Sequence, residues 1–295
     1  MKKRNIGILS RSTALYSTRR IIEAGRKRGH NMVVLDHTKC DIVIEKQKPQ
    51  IFYKGMSIND LDAIIPRIGS SVTFYGAAVI RQFETMDVFS AIGSTALVRS
   101  RDKLRSLQIL SRAGISMPKT VFTNYSKDIH SVIYKVDGAP CVMKLLEGTQ
   151  GMGVVLAETK SAAKSVLEAF NGLQARVIVQ KFIKESKGTD IRAFVVDGVV
   201  VGAMKRVGPE GEFRSNLHQG GKAYLYALTE EEEQTALLAT EALGLGIAGV
   251  DMLQSDSGPM VIEVNSSPGL EGIETATKQD IATDIIRYVE NNIHR

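Results

Sequence analysis

Three short apolar runs, at residues 6–9, 32–35 and 63–65, alternate with helical signals at 17–28 and 74–86. Apolar strands spaced by amphipathic helices can be buried on both faces only in an open, mostly parallel sheet covered by helices. That alternation confines the first hundred residues to an α/β layer structure. Shorter β-like pieces, Ile42-Val43-Ile44 and Ile51-Phe52-Tyr53, are read as part of the same pattern. No G-x-G-x-x-G is present, so dinucleotide binding is not inferred.

From Arg101 the character changes. A helix with apolar positions Leu104, Leu107, Leu110 and Ala113 ends at Gly114. Strands then dominate at 141–146, 154–157, 177–183, 191–196 and 199–204, interrupted by a helix at 161–170. A hairpin over 194–201 turns at Asp197-Gly198. Near the end come a helix at 230–243, strands at 250–253 and 260–265, and a last helix at 281–293. The acidic run 230–233 opens its helix, where the dipole favours negative charge. The second part is therefore α+β with antiparallel hairpins. A chain of 295 residues accommodates two domains or one bilobed enzyme.

Hydrophobic residues at 43% and charged residues at 24% exclude a disordered or fibrous chain. No run approaches the roughly 20 apolar residues that span a bilayer, and the apolar stretch after Met1 is too short for a signal-peptide core. A cytoplasmic address without membrane association is expected. Cys40 and Cys141 are too few for a disulfide framework, and Cys141, in an apolar run, reads as a buried small hydrophobe. Charge is lopsided: residues 1–100 hold 16 Lys and Arg against 8 Asp and Glu, the remainder 22 against 24. A basic first third suits an anionic partner or forms a solvated face. The cluster Arg26-Lys27-Arg28 also suits a helix C-terminus.

Four constellations carry chemistry. Lys144 at a strand end leads into Glu147-Gly148-Thr149-Gln150-Gly151-Met152-Gly153, whose glycines let backbone N–H groups approach phosphate oxygens; a plain glycine-rich hairpin is the alternative. Asp251 and Glu263-Val264-Asn265 offer two carboxylates and an amide oxygen, a hard donor set suited to Mg²⁺ or Mn²⁺. Glu263 and Asn265 share a strand face, and a neighbouring strand brings Asp251 beside them; a surface hairpin is the alternative. Arg206, with Arg214-Ser215-Asn216 before Gly220-Gly221, forms a clamp for carboxylate or phosphoryl oxygens, while His218 lacks an identified partner. Gln180-Lys181-Phe182 followed by Asp190-Ile191-Arg192 offers strand-end backbone groups to a base and an acid to a ribose.

In this order the four resemble the ATP-grasp superfamily. Arg67-Ile68-Gly69, Phe74-Tyr75-Gly76, Arg101-Asp102-Lys103-Leu104-Arg105-Ser106, residues 147–155 and 213–221, and the run from Glu263 to Glu274 resemble its RimK family. The resemblance implies an N-terminal Rossmann-like pre-ATP-grasp domain over 1–95, a linker helix and central lid domain over 96–183, and a C-terminal metal-bearing domain over 184–295. By position, Lys103 and Lys144 would bind ATP phosphates, and the loop with Gly151 and Gly153 would close over them. Lys181 and Phe182 would form the adenine hinge, Asp190 would hold the ribose, and Arg214, Ser215 and Asn216 would line the phosphate end. Asp251, Glu263 and Asn265 would hold two Mg²⁺ or Mn²⁺, Glu263 bridging. One departure is the hinge, Gln180-Lys181-Phe182 where the family pattern is Gln-Glu-aromatic.

The activity so implied is an ATP-dependent ligation of L-glutamate to the C-terminal carboxylate of the sixth protein of the small ribosomal subunit, through an acyl phosphate. Arg206 and Arg214 are expected to be catalytic, clamping that intermediate. A homo-oligomer, up to a tetramer, is expected, without direct nucleic-acid binding. The rivals are a relative acting on a small metabolite or carrier protein, a non-catalytic nucleotide-binding regulator, and an RNA-binding module based on the basic third.

Overall fold

The structure is a computed structural model describing residues 2–123, 128–146, 153–215, 217 and 220–293. Strands β1 (Asn5–Leu9) and β2 (Asn31–Leu35) flank helix α1 (Tyr16–Lys27). Strands β3 (Cys40–Val43), β4 (Gln50–Tyr53), β5 (Met56–Ser57) and β6 (Ala63–Pro66) precede helix α2 (Thr73–Thr85) and strand β7 (Phe89–Ser90). The order β2-β1-β6-β7 is parallel throughout, as the alternating pattern requires. The β-like pieces at 42–44 and 51–53 depart from it: β3, β4 and β5 form a separate antiparallel sheet. The loop joining β3 to β4 is too short for a parallel crossover, which takes a dozen or more residues.

The helix expected to end at Gly114 is α4 (Lys103–Arg112), and a separate helix that the sequence reading did not include, α3 (Ser94–Arg101), precedes it across Asp102. Asp102 is extended, φ −79° and ψ 99°, and its side chain accepts from the Arg105 N–H. A capping aspartate competes with the helix it would otherwise continue.

Strand β8 (Thr120–Phe122), helix α5 (Ile129–Lys135), strands β9 (Cys141–Leu145) and β10 (Val154–Ala157), helix α6 (Lys160–Gly172) and strand β11 (Val177–Lys181) build a small antiparallel unit of order β10-β9-β11-β8. It has its own core of Ile133, Cys141, Met143, Leu167, Val177 and Val179 among others. Cys141 is fully buried there, and burial pushes its thiol up.

Strands β12 (Thr189–Val196), β13 (Val199–Val207) and β14 (Lys222–Leu225), helix α7 (Glu230–Leu243), strands β15 (Ile247–Ser255) and β16 (Gly258–Asn265), and helices α8 (Leu270–Thr277) and α9 (Ile281–Asn292) complete the chain. The five-stranded order is β14-β13-β12-β15-β16, antiparallel throughout. The β12–β13 turn holds Asp197 at φ 52° and Gly198 at φ 72°, the paired positive angles of a type I′ hairpin. Helix α7 starts where the acidic run does, closed by a reciprocal capping box between Thr229 and Glu232.

One continuous core joins the N-terminal sheet to the five-stranded sheet, from Ile6 and Phe83 to Phe194, Val250 and Ile285. Ion pairs reinforce that junction. Arg20 donates to Glu274 at 2.9 Å and Asp280 at 2.9 Å, and Arg28 donates to Glu290 at 2.8 and 2.7 Å. Part of the basic excess of the first third is thus neutralised by C-terminal acids. No described helix is long and apolar enough to cross a membrane.

Candidate functional site

Residues directly opposite in an antiparallel pair share a sheet face, as do residues two apart on a strand. Asp190 faces Arg206, Arg192 faces Asp251, and Asp251 faces Glu263. Asn265 lies two residues beyond Glu263. Register therefore gathers six polar residues on one face of the five-stranded sheet, while Ile191, Ala193, Val250, Met252 and Val264 fill the core on the other.

These polar groups are tightly interconnected. Arg192 donates Nε and Nη2 to the two oxygens of Asp251, both at 2.6 Å. Arg206 donates to Asp190 at 2.6 and 2.5 Å, and its Nη2 stands 2.9 Å from Asp251 Oδ2. Asp190, Arg206 and Asp251 are 5%, 4% and 3% exposed. Burial alone would raise the Asp251 carboxyl, but the guanidinium groups of Arg192 and Arg206 outweigh it and hold it below the usual carboxylate range. Burial likewise works against the Arg206 cation, and Asp251 and Asp190 reverse it. Arg206 is therefore spent on two carboxylates. A nearly buried guanidinium so engaged fixes Asp190 and Asp251 in place.

The small antiparallel unit forms the opposite wall. Lys144, on β9, lines the cleft with Val142, Val154, Ile178, Phe182, Ile183 and, from the large sheet, Leu253 and Ile262. Burial pushes the Lys144 ammonium down to about 8, against support from Glu263. Lys103 bridges the walls, donating Nζ to the Leu145 carbonyl at 3.0 Å. Its charge too is opposed by burial and favoured by Glu263. Arg101 shows the same balance. Glu263, itself exposed, is thus the anion at which three cations converge.

Ser215 is 6% exposed and lines the same cleft. Phe182 and Phe213 meet edge to face with centroids 6.5 Å apart, and the Arg214 guanidinium lies 5.6 Å from the Phe213 ring. Arg214 also holds Glu212 at 2.7 and 3.0 Å. Lys181 is exposed and its Nζ pairs with Asp137 at 3.1 Å, while its backbone N–H donates to Lys119. The lysine at this hinge position therefore points away from the cleft's charges. Gly153 has φ 73°, and a Cβ there would stand 2.5 Å from Leu145 Cδ1, so only glycine fits. Gly151, Asn216 and His218 lie outside the described residues.

The donor set of Asp251, Glu263 and Asn265 suits a hard divalent cation. Asn265 Nδ2 is buried without a hydrogen-bond partner among the described residues. Arg192 and Arg206 use three of the roughly four lone-pair sites of Asp251, leaving one on Oδ1. Among the described residues no cluster of three or more His, Cys, Asp or Glu could hold a metal; here the third donor is an amide. Sequence reasoning gave Arg192 no role, although its i, i+2 spacing from Asp190 signals one face. Arg67 and Arg101 stood inside recognised motifs, again without a role.

Comparison with known proteins matches the same architecture. A family model described as the RimK-like ATP-grasp domain matches residues 100–289, and one described as the RimK PreATP-grasp domain matches 4–97. A relative from Aliivibrio salmonicida (strain LFI1238), named probable alpha-L-glutamate ligase, is 59% identical over 287 residues, 97% of this chain and 95% of its own. Among solved structures, the ATP-grasp ligase PsnB complexed with a phosphomimetic variant of its minimal precursor, Mg and ADP aligns with TM-score 0.76 at 20% identity, over 99% of both chains. The D-alanine–D-alanine ligase from Bacillus anthracis complexed with ATP aligns with TM-score 0.68 at 18% identity, over 99% of this chain and 97% of that one.

Proposed function

The chain belongs to the RimK-like ATP-grasp family, and from that premise we propose that it uses ATP to add L-glutamate to the C-terminal carboxylate of the sixth protein of the small ribosomal subunit through an acyl phosphate. It is an ATP-dependent carboxylate–amine ligase. The relatives' name supports glutamate as the amine donor. The observation that carries the site assignment is the convergence of Asp251, Glu263 and Asn265 on one sheet face, with Lys103 and Lys144 supported electrostatically by Glu263.

A carboxylate is a poor acylating agent until its oxygen becomes part of a leaving group. The acceptor carboxylate takes the γ-phosphoryl group, ADP leaves, and the glutamate amine then displaces phosphate. Asp251, Glu263 and Asn265 would hold Mg²⁺, which when bound neutralises charge on the transferring phosphoryl group. Lys103 and Lys144 meet phosphate oxygens with their ammonium groups. Phe182, Ile183 and Ile178 give a base an apolar slot, and backbone groups at Phe182 read its edge, since the Lys181 N–H is already used. Arg206 acts indirectly, holding Asp190 and Asp251 in place and keeping Asp251 ionised. Arg214 and Ser215 close the phosphate end.

The Lys144 assignment has a proton-linked consequence. With the free ammonium held at about 8, half the molecules near that pH carry a neutral lysine. Phosphate oxygens favour the charged form, so ATP binding should take up roughly half a proton at pH 8 and less at pH 7. Affinity should accordingly fall as pH rises through 8. Titration calorimetry in buffers of different ionisation enthalpy measures the uptake. Lys144→Arg should remove it; an unchanged uptake in that variant would count against the assignment.

The activity itself is tested by incubating the protein with ATP, Mg²⁺, labelled L-glutamate and small-subunit ribosomal proteins. Label is expected at the C-terminus of one protein, with ADP released in step. ADP release driven by a small carboxylate, with every ribosomal protein unlabelled, would redirect the reading to a metabolite ligase.

A further inference from the structure

The parallel sheet runs β2-β1-β6-β7, so the chain leaves β1 to one side and later returns to its other side. The β1–β6 boundary is a topological switch point, where loops leaving the carboxyl ends of adjacent strands diverge and open a crevice. Ser10-Arg11-Ser12 follows β1 and Arg67-Ile68-Gly69 follows β6. The two loops face each other: Arg11 Nη2 stands 3.8 Å from where a Gly69 Cβ would lie. Arg67 reaches across to the loop after β16, its Nη2 2.6 Å from the Pro268 carbonyl and 3.5 Å from that of Ser267. Arg101 Nη2 donates to the Ile68 carbonyl at 2.7 Å. The switch point is thus bounded by residues of both halves of the molecule, and Arg101 links it to the Glu263 end of the cleft.

Its chemistry is incomplete as it stands. Arg67 has no carboxylate partner among the described residues; its recorded bonds go to backbone carbonyls. Arg101 Nε, Asn265 Nδ2, Ser266 Oγ and Ser267 Oγ are buried without a hydrogen-bond partner among the described residues. Burial, aided by the neighbouring Arg101 cation, pushes Arg67 down to about 10. Two like-charged guanidinium groups and several orphaned donors are costly to hold together. A planar anion with two oxygens answers both deficits, because guanidinium forks match a carboxylate and hydroxyls add donors.

We propose that Arg67, Arg101, Ser266 and Ser267 form a carboxylate subsite at the switch point, which holds an acid substrate against the Glu263 end of the cleft. It rests on the ligase reading for its purpose, not for its binding chemistry. The carboxylate belongs either to L-glutamate or to the acidic acceptor tail, and the test has an arm for each.

Calorimetric titration of the full chain with saturating ADP and Mg²⁺ uses L-glutamate as one probe and a synthetic peptide ending in consecutive glutamates as the other. Arg67→Lys should weaken one of the two acids by about tenfold or more, as loss of a charge-assisted fork predicts. Ser267→Ala removes a hydroxyl that bonds nothing among the described residues, so folding is retained, and the same acid should weaken several-fold. ADP affinity should stay as in the unsubstituted chain in both variants, and the melting temperature in Ser267→Ala; Arg67→Lys also disturbs the bond to the Pro268 carbonyl, so its melting temperature is not the control. Weakening of L-glutamate assigns the subsite to the amine donor; weakening of the peptide assigns it to the acceptor. Unchanged affinity for both acids in both variants, no binding of either acid by the unsubstituted chain, or a parallel loss of ADP affinity would overturn the subsite. Failure of the ligase reading looks different: these binding shifts would stand while ATP, glutamate and acceptor together release no ADP.

Discussion

Glu263→Gln should leave a folded protein whose glutamate-dependent ADP release has fallen about a thousandfold or more, a loss of several kcal/mol of transition-state stabilisation. The side chain is exposed and the swap nearly isosteric, so packing has little to lose. Electrostatics has much to lose. Burial works against the charges of Arg101, Lys103 and Lys144, and Glu263 supports all three. Without that anion Lys144 should titrate below about 8, and the divalent-cation site loses one of two carboxylates. The assay is initial-rate ADP release with and without L-glutamate, alongside thermal melting. Full activity in a folded variant would remove the metal and phosphate assignments together.

Arg206→Met should be the most destabilising single change at the site. Its guanidinium fork holds Asp190, and the same arm reaches Asp251, all three residues being at most 5% exposed. Removing one partner of a buried ionic network strands the others, at a cost of about 3–5 kcal/mol, or roughly 10 °C in melting temperature for a chain of this size. The sign of the pH dependence follows. In the native protein the Asp251 carboxyl lies low because Arg192 and Arg206 overcome its burial. It therefore contributes stability above the unfolded aspartate range, and that contribution is lost as pH falls through the lowered folded value. In the variant burial regains ground, Asp251 binds a proton more readily, and the deficit should shrink as pH is lowered from 7 toward 4. Adding Asp190→Asn should recover part of the loss, a coupling that a double-mutant cycle measures. Urea denaturation across that pH range is the measurement; a deficit under about 1 kcal/mol at pH 7 would show that the network is not structurally coupled.

Element types were readable wherever the period was strong. The acidic start placed α7 within its observed limits, and the Asp197-Gly198 dipeptide marked a hairpin whose turn residues have the positive φ angles such a turn needs. Reading was weaker over 94–101, where the short helix α3 went unread beside α4, from which the extended, capping Asp102 separates it. The α8 segment went unread as a helix because its Gly-rich run looked like chemistry. At the site, the face shared by Glu263 and Asn265 follows from strand alternation alone.

Alternation within a strand, capping chemistry, and the residue types able to hold phosphate or a divalent cation are local properties, and the amino-acid order determined them without reference to the rest of the chain. Partner choice is not local. That Arg206 is consumed by Asp190 and Asp251, that Arg192 grips Asp251 across 59 residues, and that Arg67 meets Pro268 across 201 depended on strand register and on the packing of one half against the other. A charge pair between distant segments leaves no period in the sequence. Only the folded chain, by bringing those strands within bonding distance, decided which charges neutralise one another and which still face a substrate.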